Sequence, residues 1–207
     1  MKTVGNQVKN YYELTKPKIW YLLVFTAIGA AVSASWLFDV QVSLMTWTLL
    51  FFAIAAGSAA ADTLTGYNDR DIDAIMERTK GRPIPSGRIS PRNALVFGLV
   101  LAGISLVCAW FINIWAFGLM AFGLFDNIIV YSKWLKRTSQ SNIIWGGFSG
   151  GAPALIGYIA VTFQHVEIGI AMAGLVFFWI PTYLELSLTC KRRLQKGQCS
   201  YASCCIK

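Results

Sequence analysis

Apolar residues gather along this chain in six blocks separated by polar stretches, at 19–37, 42–64, 94–112, 114–134, 143–163 and 168–188. Each is close to the roughly 20 residues that a helix needs to cross a bilayer core. Lipid offers no partner for unpaired backbone groups, so such blocks must close their hydrogen bonds internally as α-helices. The pattern predicts an all-α integral membrane protein, a transmembrane helix bundle with about six spans. The polar stretches predict a segment at 1–18, a long loop after the second span, and a basic tail at 189–207.

Composition agrees. The 207 residues are 56% hydrophobic and only 14% charged, against about a quarter charged in soluble domains. The formal charge of +8 would suggest nucleic acid in a soluble domain, but its placement points elsewhere. All 18 Lys and Arg residues fall on one side of the predicted spans: at 2–18, 70–92, 133–137 and beyond 190. The alternate loops around Asp39, Asn113 and Glu167 carry none. The positive-inside rule makes the basic side cytoplasmic. This predicts a multi-pass cell-membrane protein with cytoplasmic N-terminus and long loop, the bilayer as partner and no nucleic acid. For Lys2, Lys9 and the tail, topology and attraction to anionic lipid suffice. The N-terminal segment has no short apolar region of the kind that marks a cleaved signal peptide. Four of the five cysteines lie at 190–205, while the single histidine, His165, falls on the opposite side. That arrangement excludes a zinc knuckle.

The stretch 62–92, DTLTGYNDRDIDAIMERTKGRPIPSGRISPR, carries the candidate chemistry. Asp62, Asp69 and Asp73 are spaced i, i+7, i+11, within about 20° of one helical stripe if the helix continues through Gly66. Carboxylates so placed at a membrane edge suit Mg2+, whose shell is completed by substrate phosphate. Arg78, Lys80 and Arg82 supply donors for a phosphate or diphosphate. Asp71 and Glu77 read instead as a solvated, salt-bridged loop. Asp62 is deepest, and either a metal or a charge partner would explain its burial. Asp126 and Asn127 fall inside the fourth span, where an ionisable side chain is a functional candidate by default; they rank behind the loop residues. Tryptophans read mostly as lipid-facing or interfacial anchors.

Asp69-Arg70-Asp71-Ile72-Asp73, Met76, Arg78-Thr79, Arg82-Pro83 and Pro85-Ser86-Gly87-Arg88-Ile89 resemble the first aspartate-rich motif of the UbiA-type intramembrane prenyltransferases. The DRDID…M.RT form is that of the haem O synthase branch. The block YSKWLKRTSQSNIIWGGFSGGAPALIGYIAVT at 131–162 and the LTKPKIW at 14–20 are similar to the same branch. The resemblance covers residues 13 to 183. It departs at Thr65 and Gly66, where the family usually has Asn, and Asn or Asp; Asp62, a turn earlier, is the candidate to compensate.

The resemblance implies an enzyme that transfers farnesyl from farnesyl diphosphate to a vinyl group of haem b, with Mg2+, in haem O and haem A biosynthesis; haem A synthase would be the downstream partner. It implies catalytic roles for Asp69, Asp73 and Arg78, and Mg2+ ligation by Asp62, Asp69 and Asp73. It further implies diphosphate contacts from Arg70, Lys80, Arg82, Lys136, Arg137 and Asn142, although Asn142 also reads as a helix cap. The glycines at 146, 147, 150 and 151 read first as close helix packing, with a smooth wall for a flat macrocycle as the alternative.

After Pro181-Thr182 the resemblance stops. Back-translated with permitted codons and read one base later, residues 182–206 give HIWSLALHVKDDYKRANVPMLPVV, which resembles the family's continuation with its second acidic site. The expectation is a frameshift near Thr182, a UbiA-type domain at 19–188 that is incomplete, with six spans of nine, and an out-of-frame tail at 189–207. The competing expectations are another UbiA prenyltransferase, acting on a quinone precursor or glycerol lipid, and an inactive membrane homologue. A transporter fits less well, because the charges gather at the membrane edge rather than at the midplane.

Overall fold

The structure, a computed structural model, describes residues 4–77, 79–135 and 142–179. These residues form helices joined by short turns: α1 (Val4–Leu14), α2 (Pro17–Phe38), α3 (Leu44–Asn68), α4 (Arg70–Ile75), α5 (Pro91–Ile112), α6 (Ile114–Phe125), α7 (Asn142–Ile159) and α8 (Val166–Trp179). Helix α6 runs without a break into a π-helical stretch, Asp126–Leu135.

Four helices are long and apolar enough to cross a membrane: Pro17–Phe38, Leu44–Asn68, Pro91–Ile112 and Ile114–Trp134. They coincide with the first four expected spans. The fifth is seen as α7, which ends at Ile159, earlier than the expected 163. The described part of the sixth, α8, covers Val166–Trp179.

Helix ends follow from local chemistry. The Ser43 side chain accepts from the Thr46 amide, Ser90 from Asn93, and Asn113 from Ala116, satisfying amides that a helix start leaves without partners. Pro17 and Pro91 occupy first-turn positions, where a missing N–H costs nothing.

The interior is rich in alanine, packed around a few large side chains such as Leu50, Ile54, Ile156 and Tyr158. Ala27, Ala31, Ala34, Ala53, Ala60 and Ala109 are fully buried, while Trp36 is 90% exposed and Phe25 and Trp115 also face outward. Large apolar groups outside and an alanine-rich interior are the order expected when lipid surrounds the bundle and helices associate by close backbone approach. The α2–α7 crossing is the tightest: a Cβ on Gly157 would run into the Ala27 carbonyl oxygen. Helix α3 lies centrally, touching α2, α5, α6 and the π-helical stretch. Its grip on α5 includes a hydrogen bond from Ser105 Oγ to the Ala53 carbonyl at 2.7 Å.

The glycine run divides by face. Gly147 and Gly151 stand against Phe177 and Ala173 of α8, which is the packing role expected of them. Gly146 and Gly150, on the other face, line an internal cavity.

Candidate active site

The loop between α3 and α5 is held by a small second core. Leu14 of α1 packs with Ile84, Ile89 and Ala94, and Tyr11 meets the ring of Phe97 edge-on at 4.9 Å. Above it, Arg88 grips Glu13 with both arms, at 2.6 and 2.9 Å, and also donates to Asn10 and to the Gly81 carbonyl. The guanidinium holds the Glu13 carboxyl below its ordinary range. Gly87, at φ 71°, supplies the left-handed turn that returns the chain to Arg88.

Helix α3 does continue through Gly66, as far as Asn68, and breaks at Asp69 (φ −90°, ψ 1°) before α4 resumes. The break keeps Asp62 and Asp73 on one side. Both line a cup of about 220 Å³ together with Glu13, Lys16 and Arg82, set among the apolar side chains of Leu14, Pro83, Ile84 and Pro85. Two ion pairs cross it: Lys16 Nζ donates to Asp62 Oδ1 at 2.9 Å, and Arg82 Nη1 to Asp73 Oδ2 at 2.7 Å. Asp69 is 2% exposed at the break, its carbonyl accepting from the Asp73 amide at 2.8 Å.

Asp62 also lines a second, mostly apolar cavity of about 270 Å³. This runs between α2, α3, α6 and α7, past Leu23, Gly57, Met120 and Gly150 to Ile54 and Ile156. From Asp62 to Ile54 is eight residues of α3, about 12 Å of helix. One carboxylate therefore stands where a charged cup meets a deep hydrocarbon-like slot. Its other oxygen, Oδ2, is buried with no hydrogen-bond partner among the described residues.

Asn127, at the start of the π-helical stretch, reaches the same slot. Its carboxamide accepts from Thr65 Oγ1 at 3.0 Å and donates to Ser149 Oγ at 3.1 Å, tying three spans together. Its neighbour Asp126 is fully buried, and neither carboxylate oxygen has a hydrogen-bond partner among the described residues.

The other expected contacts divide. Arg82 lines the cup. Arg70 and Lys80 do not: Arg70 turns back over the Tyr67 ring, its guanidinium 4.4 Å from the ring centroid, and donates to the Tyr67 carbonyl. Lys80 pairs with Glu77 at 2.6 Å on the exposed surface, where a short i,i+3 contact satisfies it locally. The salt-bridged reading of Glu77 holds. Asp62 and Asp73 share the cup while Asp69 does not line it, and among the described residues no three Asp, Glu, His or Cys side chains converge in a metal-binding group. Arg78, Lys136 and Arg137 lie outside the described residues, as does the side chain of Asn142, whose backbone opens α7. Lys16, read with the one-sided basic residues, and Asn127, ranked behind the loop, line the cup and the slot, and Thr65, noted as a departure from the family pattern, bonds Asn127.

A cup lined by Lys16, Arg82, Asp62 and Asp73 thus lies beside an apolar slot between transmembrane helices, and the two share Asp62. The UbiA prenyltransferase family model matches residues 22–193, and the chain belongs to that family. It is 54% identical over 188 residues to protoheme IX farnesyltransferase 2 of Cenarchaeum symbiosum, covering 86% of this chain and 61% of that protein. It is 41% identical to the protoheme IX farnesyltransferase of Thermoplasma volcanium, covering 86% and 62% respectively. The chain thus spans about six tenths of the length of these relatives. Among solved structures, a digeranylgeranylglyceryl phosphate synthase superposes with TM-score 0.77 at 22% identity, covering 93% of this chain and 66% of that one. A UbiA homologue from Archaeoglobus fulgidus bound to GPP and Mg2+ gives 0.67 at 24%, covering 84% and 62%. These two likenesses establish the fold.

Proposed function

We propose that this chain carries the prenyl-diphosphate site of a protohaem IX farnesyltransferase, which joins farnesyl to a vinyl group of haem b. The position of Asp62 carries the reading, since one carboxylate borders both a charged cup and an apolar slot. A prenyl diphosphate has that shape and polarity: an anionic head for the cup and a hydrocarbon tail for the slot. The names of the relatives, at 54% and 41% identity, favour farnesyl as the tail and haem as the acceptor. The concentration of basic residues around the cup favours a cytoplasmic mouth.

The donor set suits Mg2+. It is a hard cation that takes one or two carboxylates and completes its shell with substrate phosphate and water, and Asp62 offers a buried oxygen with no hydrogen-bond partner among the described residues. Asp62 and Asp73, which line the same cup, would hold the ion, which would neutralise charge on the departing diphosphate. Arg82 and Lys16 stand beside the same space and stabilise negative charge there. The C1–O bond of farnesyl diphosphate breaks with its electron pair leaving on diphosphate. Farnesyl C1 then bonds to the terminal vinyl carbon, and water adds its hydroxyl to the adjacent carbon and releases a proton. The slot shields the allylic carbon from premature capture by water. Asn127 orders its wall by tying α3 to α7.

An acceptor competition tests the assignment. Membranes carrying the protein receive labelled farnesyl diphosphate, Mg2+, and equal amounts of haem b, a quinone precursor and a glycerol-phosphate lipid. Label entering haem alone is the expected result. Label entering either other acceptor in preference to haem places the chain on a different branch of the family.

A further inference from the structure

The two ion pairs of the cup have a consequence for how ligands enter. In the free protein two of the three candidate metal-binding carboxylates already hold a cation: Asp62 pairs with Lys16 and Asp73 with Arg82. The cup therefore offers little net field to a cation or an anion arriving alone. A metal ion must compete with an ammonium and a guanidinium for these carboxylates, and a diphosphate must draw the same two cations from them.

Lys16 has a second unusual feature. Its backbone sits in the left-handed region, φ 48° and ψ 67°, although it is not glycine. It also precedes Pro17, and a residue before proline is steered towards extended conformations instead. Strained backbone of this kind persists where surrounding structure imposes it, and it concentrates at sites that bind or switch. Here it turns the chain between α1 and α2 where the Lys16 side chain reaches 2.9 Å from Asp62. Lys16 lines the cup itself, so its ammonium needs only a change of side-chain torsion to face an anion there.

We propose that Lys16 is a partner-exchanging residue of the diphosphate site. It holds Asp62 in the free protein, then passes to the diphosphate when the metal takes Asp62, so metal and diphosphate bind as a cooperative pair. The proposal rests on the prenyl-diphosphate reading above. Breaking the ion pair is required once for both ligands together, but in full for either alone. By linkage, each must then raise the other's affinity by the same factor.

Calorimetric titration of the full 207-residue chain in lipid nanodiscs, with MgCl2 alone, inorganic diphosphate alone and both together, tests this. In the wild type each ligand should bind at least about tenfold more tightly with the other present. Lys16→Gln should bind Mg2+ alone about tenfold more tightly than wild type, yet bind diphosphate in excess Mg2+ about tenfold more weakly. Lys16→Arg should keep the wild-type pattern. The mirror variant, Asp62→Asn, frees Lys16 and should strengthen metal-free diphosphate binding while weakening Mg2+. The opposed signs are the signature. If Lys16→Gln shifts both affinities in the same direction, or neither, while the wild type binds the pair, Lys16 is structural and the inference fails. If the wild type binds no Mg2+–diphosphate at all, the prenyl-diphosphate reading falls with it.

Discussion

Lys16 Nζ donates to Asp62 Oδ1 at 2.9 Å across 46 residues of chain, pinning the start of α2 to the C-terminal part of α3. The carboxylate so held borders both the charged cup and the apolar slot. Asp62→Asn should therefore lower turnover by about 10²-fold or more, the usual scale for losing one group aimed at developing charge. Asp62→Glu should retain part of the activity. Steady-state rates on membranes, normalised to folded protein, check both.

The Thr65–Asn127–Ser149 chain predicts measurable coupling between spans. A double-mutant cycle on Thr65→Val and Asn127→Ala, read by unfolding in mixed micelles, should give an interaction energy of about 0.6–1.7 kcal/mol, the range for hydrogen bonds between membrane helices. Additive effects would show that the 3.0 Å contact contributes nothing.

The α2–α7 crossing predicts a contrast between glycines. A Cβ on Gly157 meets the backbone of Ala27, whereas one on Gly103 meets nothing within 4 Å. Gly157→Ala should destabilise the protein by about 1–3 kcal/mol, as overpacking does. Gly103→Ala should be neutral or stabilising by up to about 1 kcal/mol through helix propensity. Thermal unfolding midpoints of the two variants decide.

The Glu13–Arg88 clamp predicts a modest acid sensitivity. Arg88 lowers the Glu13 carboxyl from its ordinary 4.5. The resulting stability is fully present above that ordinary value and is lost as pH falls through the lowered one. Both side chains are more than a third exposed, so solvent screening limits the effect to about 1 kcal/mol or less. Wild type and Glu13→Gln should differ by a constant increment from pH 7 to 5 and converge in stronger acid, with a smaller gap at high salt. A gap that persists in strong acid would mean the carboxylate charge is not its source.

The change of frame expected near Thr182 is decided by the gene. Its bases across codons 182–206 should read, one base later, as HIWSLALHVKDDYKRANVPMLPVV. Codons incompatible with that string would overturn the idea.

Much of the bundle was legible because hydropathy and the one-sided placement of Lys and Arg are chain-level signals that lipid imposes on every span. The packing role of Gly147 and Gly151 followed from residue size, whereas the run of α3 to Asn68 goes beyond the span end expected at 64 and entered only as the condition for the carboxylate stripe. The π-helical stretch from Asp126 was not legible, since α and π windings of one apolar segment share the same hydropathy. The ion-pair assignments were not legible either. Spacing placed Asp62, Asp69 and Asp73 on one stripe, but it could not show that Lys16, 46 residues earlier, takes up one oxygen of Asp62. Nor could it show that Arg70 and Lys80 would find nearer partners in Tyr67 and Glu77. Long side chains choose among several neighbours, and that choice depends on tertiary contacts between α1, α3 and the loop.

The central claim is that Asp62 stands at the junction between a bound diphosphate and its prenyl chain. The most direct measurement is haem-dependent release of diphosphate from farnesyl diphosphate, with mass detection of hydroxyethylfarnesyl haem. It would use membranes carrying the 207-residue chain, a form continued in the alternative frame from codon 182, and the Asp62→Asn variant of whichever form is active. The account predicts diphosphate and prenylated haem in equal amounts, both lost in Asp62→Asn. Folded wild-type protein in both forms that yields no prenylated haem, or an Asp62→Asn variant that matches its parent, would contradict it.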